Sequence, residues 1–538
     1  VTDREQERRR NTDIAAVRQF HNATKYIAVP NEAGEEQFLM GTPPDLENAI
    51  WQEDWSIEPI PPYKFYETIE PMDLPREFAA TTMPALEAIS RTGSEPQGNQ
   101  VPDLEALARI SLLSNGILKQ GAHRPNGVII EYRASGGTGA RYHLELYFVC
   151  GDIQGLEAGI YHYSAQDHSF RQLRKGDFRG VLVEATGGEE SIASAPVIMA
   201  MTSTFWRNAW RYKARAYRHS LWDAGTTLTN VLALSASAEL PTKLVLGFAD
   251  VAVNDLLGVD GHREATLALC AIGRNSGTVP SAPDVSPIDH PVRVISEREI
   301  DFPLIGMMHH ASELDSGSDA ATWRGNPLVR EPSDPQGKLV PLQPLAAADL
   351  PVMPVEDVIR RRRSTRNYDT DTPIGFDLFS TLVDRSNRGF ASDCLVPGAR
   401  PLHDQYLIVN SVEGLEPGAY RVHPDRNAIE LVRSGEFRPQ AKRLAADQEY
   451  AANAHVNSYY LTELDPVLAH FGNRGYRVAQ LEAALYGSRL HLGTHSLGLG
   501  AVGSTSFDDE VVEFFTPGSN QADYMFVLVF GKRKRKTS

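Results

Sequence analysis

The chain has 538 residues, 42% of them hydrophobic and 23% charged, with a formal net charge of −16. That length exceeds a single core and predicts roughly two to four domains. The acidic balance disfavours nonspecific nucleic-acid binding. No run of about 18 apolar residues is available to span a membrane. The charged opening VTDREQERRRNTD lacks the apolar stretch of a secretory signal. Three cysteines, Cys150, Cys270 and Cys394, lack CxxC or metal-ligand spacing, which predicts a reducing, cytoplasmic setting without disulfides. His309 and His310 have no ligand spacing around them and are expected on the surface, with no metal.

In chain order, residues 1–100 read as an N-terminal extended arm. It has a helical start (DIAAVRQFHNATKY) and a proline-rich remainder that wraps the first domain. Residues 101–274 form the first domain. Leu104, Leu107, Ile110, Leu112 and Leu113 have helical spacing. LELYFVC (144–150) and APVIMAMTS (195–203) read as strands, a long apolar helix starts near Arg215, and LALCAIG (267–273) closes the unit. Residues 275–353, rich in proline, glycine and serine, read as a linker in which MMHHASELD is a short packed helix. Residues 354–538 form the second domain. It opens with a helix at Val355, has strands QYLIVNS (405–411) and YMFVLVFGKR (524–533), and has a long helix at 476–498. Each half mixes helices and strands, an α+β pattern.

The halves repeat one another. GLEAGIYHYSAQDHSFRQLRKGDFR (155–179) runs in register with GLEPGAYRVHPDRNAIELVRSGEFR (414–438), a shift of 259 positions (155 to 414). The shift also carries Arg215-Ala216-Tyr217-Arg218 onto Arg474-Gly475-Tyr476-Arg477. A unit this long is a whole domain, since solenoid periods are roughly 20–50 residues. Two like domains in one chain can pack as a fused dimer with a site across the seam. Because Arg215, Tyr217 and Arg218 recur in both halves, they point to structure more than to catalysis.

The chemistry-bearing residues cluster late. VEDVIRRRRSTRNYD (355–369) brings Arg362, Arg363, Ser364 and Arg366 together near a helix end, a set suited to a phosphate dianion. The last strand leaves through Lys532 and Arg533 of FGKRKRK. Between them, Gly498, Gly500 and Gly503 of SLGLGAVGSTSFDDE allow backbone to approach a flat ligand closely. This loop follows a helix and not a first strand, which is the wrong context for a dinucleotide fold.

RRRRSTRNYD, GLGAVGSTSFDDE and VLVFGKR resemble the nitroreductase family, which binds FMN. FHNATKY (20–26), YRASGGTGARYHLELYFV (132–149), GLEAGIYHY (155–163), WRYKARAYRHSLWDAG (210–225) and GFADVAVNDLLGVDGHREATLALCAIG (247–273) resemble its SagB-type branch, the dehydrogenases of thiazole/oxazole-modified peptide pathways. The resemblance implies two fused nitroreductase-like FMN-binding domains forming an intrachain pseudo-dimer. It implies that Arg362, Ser364, Arg366, Lys532 and Arg533 hold the phosphate, that Gly498 and Gly500 lie near the flavin ring, and that Arg133, Ser135, Gly136 and Gly137 form the covering turn. The first half has only Arg91 where a cradle would lie, and the second has DCLVPGARP (393–401) in place of the serine-glycine turn, so one composite FMN site per chain is expected.

In the SagB-type branch a Lys-Tyr pair stands in the stretch matching WRYKARAYR. Here Arg211 precedes Tyr212 and Lys213 follows it, so Tyr212 and Lys213 are the catalytic candidates. Arginine stays protonated and cannot serve as the base. The implied activity is an FMN-dependent dehydrogenase that oxidises azolines to azoles in a ribosomally made peptide, with a cyclodehydratase as a possible partner. An NAD(P)H-dependent nitro or quinone reductase and a non-catalytic flavin-binding protein are the alternatives.

Overall fold

A computed structural model of the chain describes residues 10–30, 36–40, 54–79, 81–91, 99–123, 129–277, 279–288, 290–396, 398–519 and 521–534. Arg8, Arg9, residues 92–97 and the last two residues of KRKRK lie outside that set.

The repeated segment is a β-hairpin in each half. Gly159–Ser164 (β7) pairs antiparallel with Ser169–Lys175 (β8), and Gly418–His423 (β14) with Ala428–Ser434 (β15). The repeated glycines have a backbone reason. Gly155 and Gly414 sit at φ +84° and +72°, in the left-handed region that residues with a Cβ avoid. The repeated Tyr and Glu share one bond: Tyr161 Oη donates to the Glu157 carbonyl at 2.9 Å, and Tyr420 Oη to the Glu416 carbonyl at 2.6 Å.

Each hairpin belongs to a seven-stranded sheet. The first contains Pro71–Asp73 (β3), Leu144–Cys150 (β6), β7, β8, Val197–Thr204 (β9), Thr242–Val245 (β10) and Glu264–Ile272 (β11), ordered β10-β11-β9-β6-β7-β8-β3. The second contains Lys338–Pro341 (β12), His403–Val409 (β13), β14, β15, Val456–Glu463 (β16), Gly500–Gly503 (β17) and Ala522–Gly531 (β18), ordered β12-β15-β14-β13-β16-β18-β17. The two orders match strand for strand. Tyr26–Pro30 (β1) with Glu36–Met40 (β2), and Ile117–His123 (β4) with Ile129–Arg133 (β5), form separate two-stranded hairpins.

The principal helices in chain order are α1 (Ala15–Ala23), α2 (Ala85–Ala88), α3 (Leu104–Asn115), α4 (Phe205–Tyr212), α5 (Ala216–Ser237), α6 (Asp250–Leu257), α7 (Pro303–Ala311), α8 (Val355–Arg361), α9 (Phe376–Ser386), α10 (Leu464–Phe471), α11 (Arg474–Ser496) and α12 (Asp508–Phe515). Helices α5 and α11 pack against each other along the seam. Every residue of α11 is buried, as expected of a helix with no solvent face. Gly225 is where the backbones close up: a Cβ there would lie 2.6 Å from the Leu481 carbonyl oxygen. One hydrophobic cluster runs through both halves.

Ion pairs exchanged between the halves complete the seam. Arg215 and Arg218 reach Asp508 at the start of α12, while Arg474 and Arg477 reach Asp250 at the start of α6, at 2.6 and 2.8 Å. All six groups are buried. Tyr217 Oη meets His309 Nδ1 at 3.1 Å, and Tyr476 Oη meets His21 Nδ1 at 3.2 Å.

That last pairing corrects the reading of two segments. His309 is buried, not on the surface, because it lies in α7 as His21 lies in α1; MHHAS (308–312) matches FHNAT (20–24) in sequence and contacts. Residues 275–353 do more than link: they supply α7, the helix Gly317–Arg324 and the edge strand β12 of the second sheet. Residues 1–100 likewise supply α1, α2 and the edge strand β3 of the first sheet, so the arm is part of the sheet it wraps. Pro84 and Pro354, which open α2 and α8, bridge to one another across the seam.

Candidate functional site

A cavity of about 550 Å³ lies on the seam, walled by both halves. The second half gives it a cationic end. Helix α8 stops at Arg361, and the chain turns outward through Arg362 to Arg366. This stretch is fastened to β17 by a parallel bridge between Ser364 and Ala501 and by the Thr365 N–H on the Ala501 carbonyl at 2.9 Å. Arg362, Ser364 and Arg366 line the wall. The Arg362 guanidinium donates to the Ala134 carbonyl of the first half through Nε at 3.2 Å and Nη2 at 3.1 Å. Burial lowers its pKa. Among the described residues no carboxylate pairs with Arg362 or Arg366. Arg366 is exposed, but Arg362 is desolvated, and a desolvated cation without a counter-charge is costly and marks a place for an anion.

The first half supplies the opposite wall. Hairpin β4–β5 leads into Ala134–Gly139, of which Gly136, Gly137, Thr138 and Gly139 face the cavity. Asp223 on α5 holds this turn in place. Its carboxylate accepts from the Thr138 N–H at 2.8 Å, from Thr138 Oγ1 at 2.9 Å and from His143 Nε2 at 2.9 Å. His219, Trp222, Asp223 and Thr226 share one face of α5 at helical spacing, and all four line the cavity. Arg211 and Tyr212 at the end of α4 complete this side, while Trp222, Val502, Phe526 and Leu528 make its apolar surface. An apolar, aromatic chamber with a cationic end fits a flat ring carrying a phosphate.

Not all the expected residues reach this wall. Arg133 is buried beneath the turn, donating to Asn115 Oδ1, the Leu144 carbonyl and the Pro62 carbonyl, so it braces the hairpin. Ser135 is buried with its hydroxyl on Thr227 Oγ1 at 3.0 Å. Gly498 ends α11 with φ +75°, and its carbonyl accepts from Arg533 Nη2 at 3.3 Å. Gly500 admits the cradle: a Cβ there would lie 2.3 Å from Thr365 Oγ1. The glycine loop reaches the cavity further on, through Val502 to Thr505. Lys532 acts through its backbone, its carbonyl accepting from Asp369 N–H at 2.9 Å, while Arg533 bridges to Tyr368 by its backbone and reaches Gly498 by its side chain. Neither residue lines the cavity.

Of the two catalytic candidates, Tyr212 lines the cavity and Lys213 does not. Lys213 has φ +50° and ψ −141°, a conformation nearly reserved for glycine. The corresponding residue in the second half is Gly472, at φ +65° and ψ −158°. Burial lowers the Lys213 pKa.

At the symmetry-related position the described residues pack differently. Loop residues Leu246 and Gly247 follow β10 as Ser504 and Thr505 follow β17. Their N–H groups donate to the Asp393 carboxylate, both at 2.9 Å. Asp393 comes from the segment that stands where the second half would need a covering turn, and Ser392 bridges directly to Leu244. Among the described residues this segment packs onto the loop.

Sequence reasoning passed over His219, Trp222, Asp223 and Thr226, although an i, i+3, i+4, i+7 polar and aromatic face on an otherwise apolar helix was legible. It had no means of finding Tyr26, Tyr450 and His491, which come from three separate segments.

Residues 118–274 match the Nitroreductase family. The fold is shared along nearly the whole chain with a crystal structure of a protein from Anabaena variabilis named as a nitroreductase: TM-score 0.73, 23% identity, 96% of this chain and 99% of that one. A protein of Methanocaldococcus jannaschii named as a nitroreductase is 28% identical over 170 residues, 31% of this chain and 85% of that protein. The trifolitoxin-processing protein TfxB of Rhizobium leguminosarum bv. trifolii is 28% identical over 142 residues, 26% of this chain and 38% of that protein. The class defined is an oxidoreductase of nitroreductase fold. The chain carries a nitroreductase-family domain at residues 118–274, within two fused domains of that fold. None of the described helices is long and apolar enough to cross a membrane.

Proposed function

We propose that the chain is an FMN-dependent dehydrogenase that oxidises azolines to azoles in a ribosomally made, modified peptide. The observation that carries the cofactor is the uncompensated cation pair Arg362 and Arg366 at one end of an aromatic chamber. The similarity to a protein named for trifolitoxin processing supports a peptide substrate. Bound FMN supplies a two-electron acceptor.

The remaining roles belong to the chain. Arg362, Ser364 and Arg366 bind the phosphate by charge-assisted hydrogen bonds. Gly136 and Gly137 let the covering turn approach the ring, and Asp223 keeps that turn in register through Thr138. Trp222, Phe526 and Leu528 exclude water. Tyr212 orients the substrate from the first-half wall, and Lys213 stands behind it as a proton-holding group. Lys532, Arg533, Gly498 and Gly500 serve the phosphate end by shaping the cradle. Arg133 and Ser135 serve the ring by bracing the turn. We keep a cyclodehydratase as the partner and the cytoplasm as the setting, with residues 1–100 and 275–353 counted as parts of the two domains whose sheets they extend.

Reconstitution tests this reading. The expected result is yellow protein with one FMN per chain that removes two hydrogens from a thiazoline-containing peptide, read by mass spectrometry. Bleaching of the flavin by NADPH under nitrogen, with the peptide untouched, would assign the chain to reduction of nitro compounds or quinones instead. A flavin ratio near two would contradict one composite site per chain.

A further inference from the structure

The side chain of His219 is held by a chain of bonds that decides which of its nitrogens carries a proton. Asn208 Nδ2 donates to the Thr138 carbonyl at 3.3 Å, which fixes the amide with Oδ1 toward the imidazole. Oδ1 lies 2.9 Å from His219 Nδ1, and an amide oxygen only accepts, so Nδ1 carries the hydrogen. Nε2 is then an unprotonated acceptor. It has no partner among the described residues, although the residue is only 2% exposed and its ring lines the cavity. The ring is set edge-on to Tyr212, centroids 4.7 Å apart, and lies against Trp222 at 5.1 Å. Burial, then Arg215, His143 and Arg218, hold its pKa well below the ordinary histidine value, so the acceptor stays neutral.

The second half shows what this arrangement is for. Asn208, Tyr212 and His219 correspond to Val467, Phe471 and Val478. All three polar groups are lost together in the second half. The same helices keep Arg215, Tyr217 and Arg218 as Arg474, Tyr476 and Arg477. The scaffold therefore does not need an imidazole at this place.

We propose that His219 is a catalytic residue whose Nε2 accepts a proton from the substrate, and that Asn208 is the positioning residue that keeps that nitrogen open. The proposal rests on the oxidation reading above. A substrate C–H proton passes to Nε2, giving the imidazolium. The electron pair it leaves forms the new double bond as a second hydrogen leaves with its own pair, for which bound FMN would supply the two-electron acceptor. Tyr212, edge-on to the ring, keeps the substrate over Nε2.

Two measurements on the full chain test it. The first needs no substrate: nitrogen-15 NMR of histidine-labelled protein, with His219→Val identifying the signal. The expected spectrum has protonated Nδ1 and bare Nε2 in the resting chain, and mixed tautomers in Asn208→Val. The second is turnover of a thiazoline-containing peptide. His219→Val is expected to lose at least about 100-fold in rate at unchanged flavin content, with partial rescue of His219→Gly by added imidazole. Valine already occupies the corresponding site at Val478, which favours folding of the variant. A resting Nε2 that carries a proton overturns the proposal, as does His219→Val turnover within about twofold of wild type. If the chain oxidises no thiazoline peptide, the oxidation reading fails and the proton-accepting role falls with it, while the nitrogen spectrum still decides whether Asn208 holds Nε2 open.

Discussion

Along helices α4 and α5 the first half has Asn208, Tyr212, Lys213 and His219; along α10 and α11 the second half has Val467, Phe471, Gly472 and Val478. Over the same helices Arg215, Tyr217 and Arg218 are repeated as Arg474, Tyr476 and Arg477. The retained residues hold the seam, and of the changed ones Tyr212 and His219 line the chamber, with Asn208 and Lys213 beside them. Duplication thus separates two demands that a single domain confounds: what the fold requires is present twice, and what the chamber requires is present once.

The largest test of this separation is at the seam. Asp250 neutralises Arg474 and Arg477, and Asp508 neutralises Arg215 and Arg218, all of them buried. Burial works to raise both carboxyl pKa values, but the paired arginines hold them below the ordinary range. Asp250→Ala or Asp508→Ala strands two buried cations, and each is expected to cost about 3–5 kcal/mol by denaturant unfolding. Similar losses at the two positions would support equivalent seams. A loss at only one would break the comparison.

The next effect concerns the chamber alone. Arg362→Ala should weaken FMN binding by about 10- to 100-fold, the scale of charge-assisted hydrogen bonds to a phosphate, with the melting temperature of the flavin-free protein barely changed. Fluorescence titration with FMN reads this directly. Arg91, in the corresponding region of the first half, is tied to Glu87 at 2.8 Å, and Arg91→Ala should leave the affinity as it is.

The α+β class and the duplicated unit were legible because glycines at positive φ and the Tyr–Glu bond leave a literal repeat. The arginine cradle was legible because its residues are consecutive. The second copies of α1 and β3 were not, because α7 and β12 sit in a proline-rich stretch where only the MHHAS segment echoes the first. Within the chamber, sequence spacing placed Arg362, Ser364 and Arg366 on the wall with Gly136 and Gly137. It could not tell that Arg133 turns under the hairpin, or that Lys532 contributes backbone and Arg533 reaches Gly498 instead of the wall. Which way a side chain leaves a strand end or a turn depends on partners distant in sequence.

A smaller effect is expected where the halves differ in backbone. Lys213 occupies a conformation that costs about 1–3 kcal/mol without glycine. Lys213→Gly should recover part of this, offset by roughly 1 kcal/mol of glycine chain entropy, for a net gain of about 1 kcal/mol in unfolding free energy. Gly472→Ala should move the other way, since its Cβ would lie 1.7 Å from the Asn11 carbonyl oxygen. If Lys213→Gly gains stability and loses turnover, the strain serves the chemistry. A variant with unchanged turnover would assign the lysine to structure.

The gentlest test uses pH. His21 and His309 occupy corresponding places in the two halves. Burial, then Arg218 for the first and Arg477 for the second, pushes their pKa values down to about 4 and about 3. The unfolded chain protonates these residues near pH 6.5, while the folded chain leaves them neutral. Between those values the unfolded state binds more protons, so folding stability is full above pH 6.5 and falls as the pH drops through that window. Each histidine adds at most about 1.4 kcal/mol per pH unit to the slope. Carboxylates such as Asp404 act lower. Burial would raise its pKa, but Arg330, Arg421 and Arg400 bring it to about 2, so its contribution is lost only below about pH 4. Denaturation series from pH 7 to 5 on His21→Gln and His309→Gln separate the two histidines. Equal flattening of the slope would mean that the halves titrate as equivalents. Flattening by only one would mean that the seam is asymmetric in charge, although it is symmetric in its bonds.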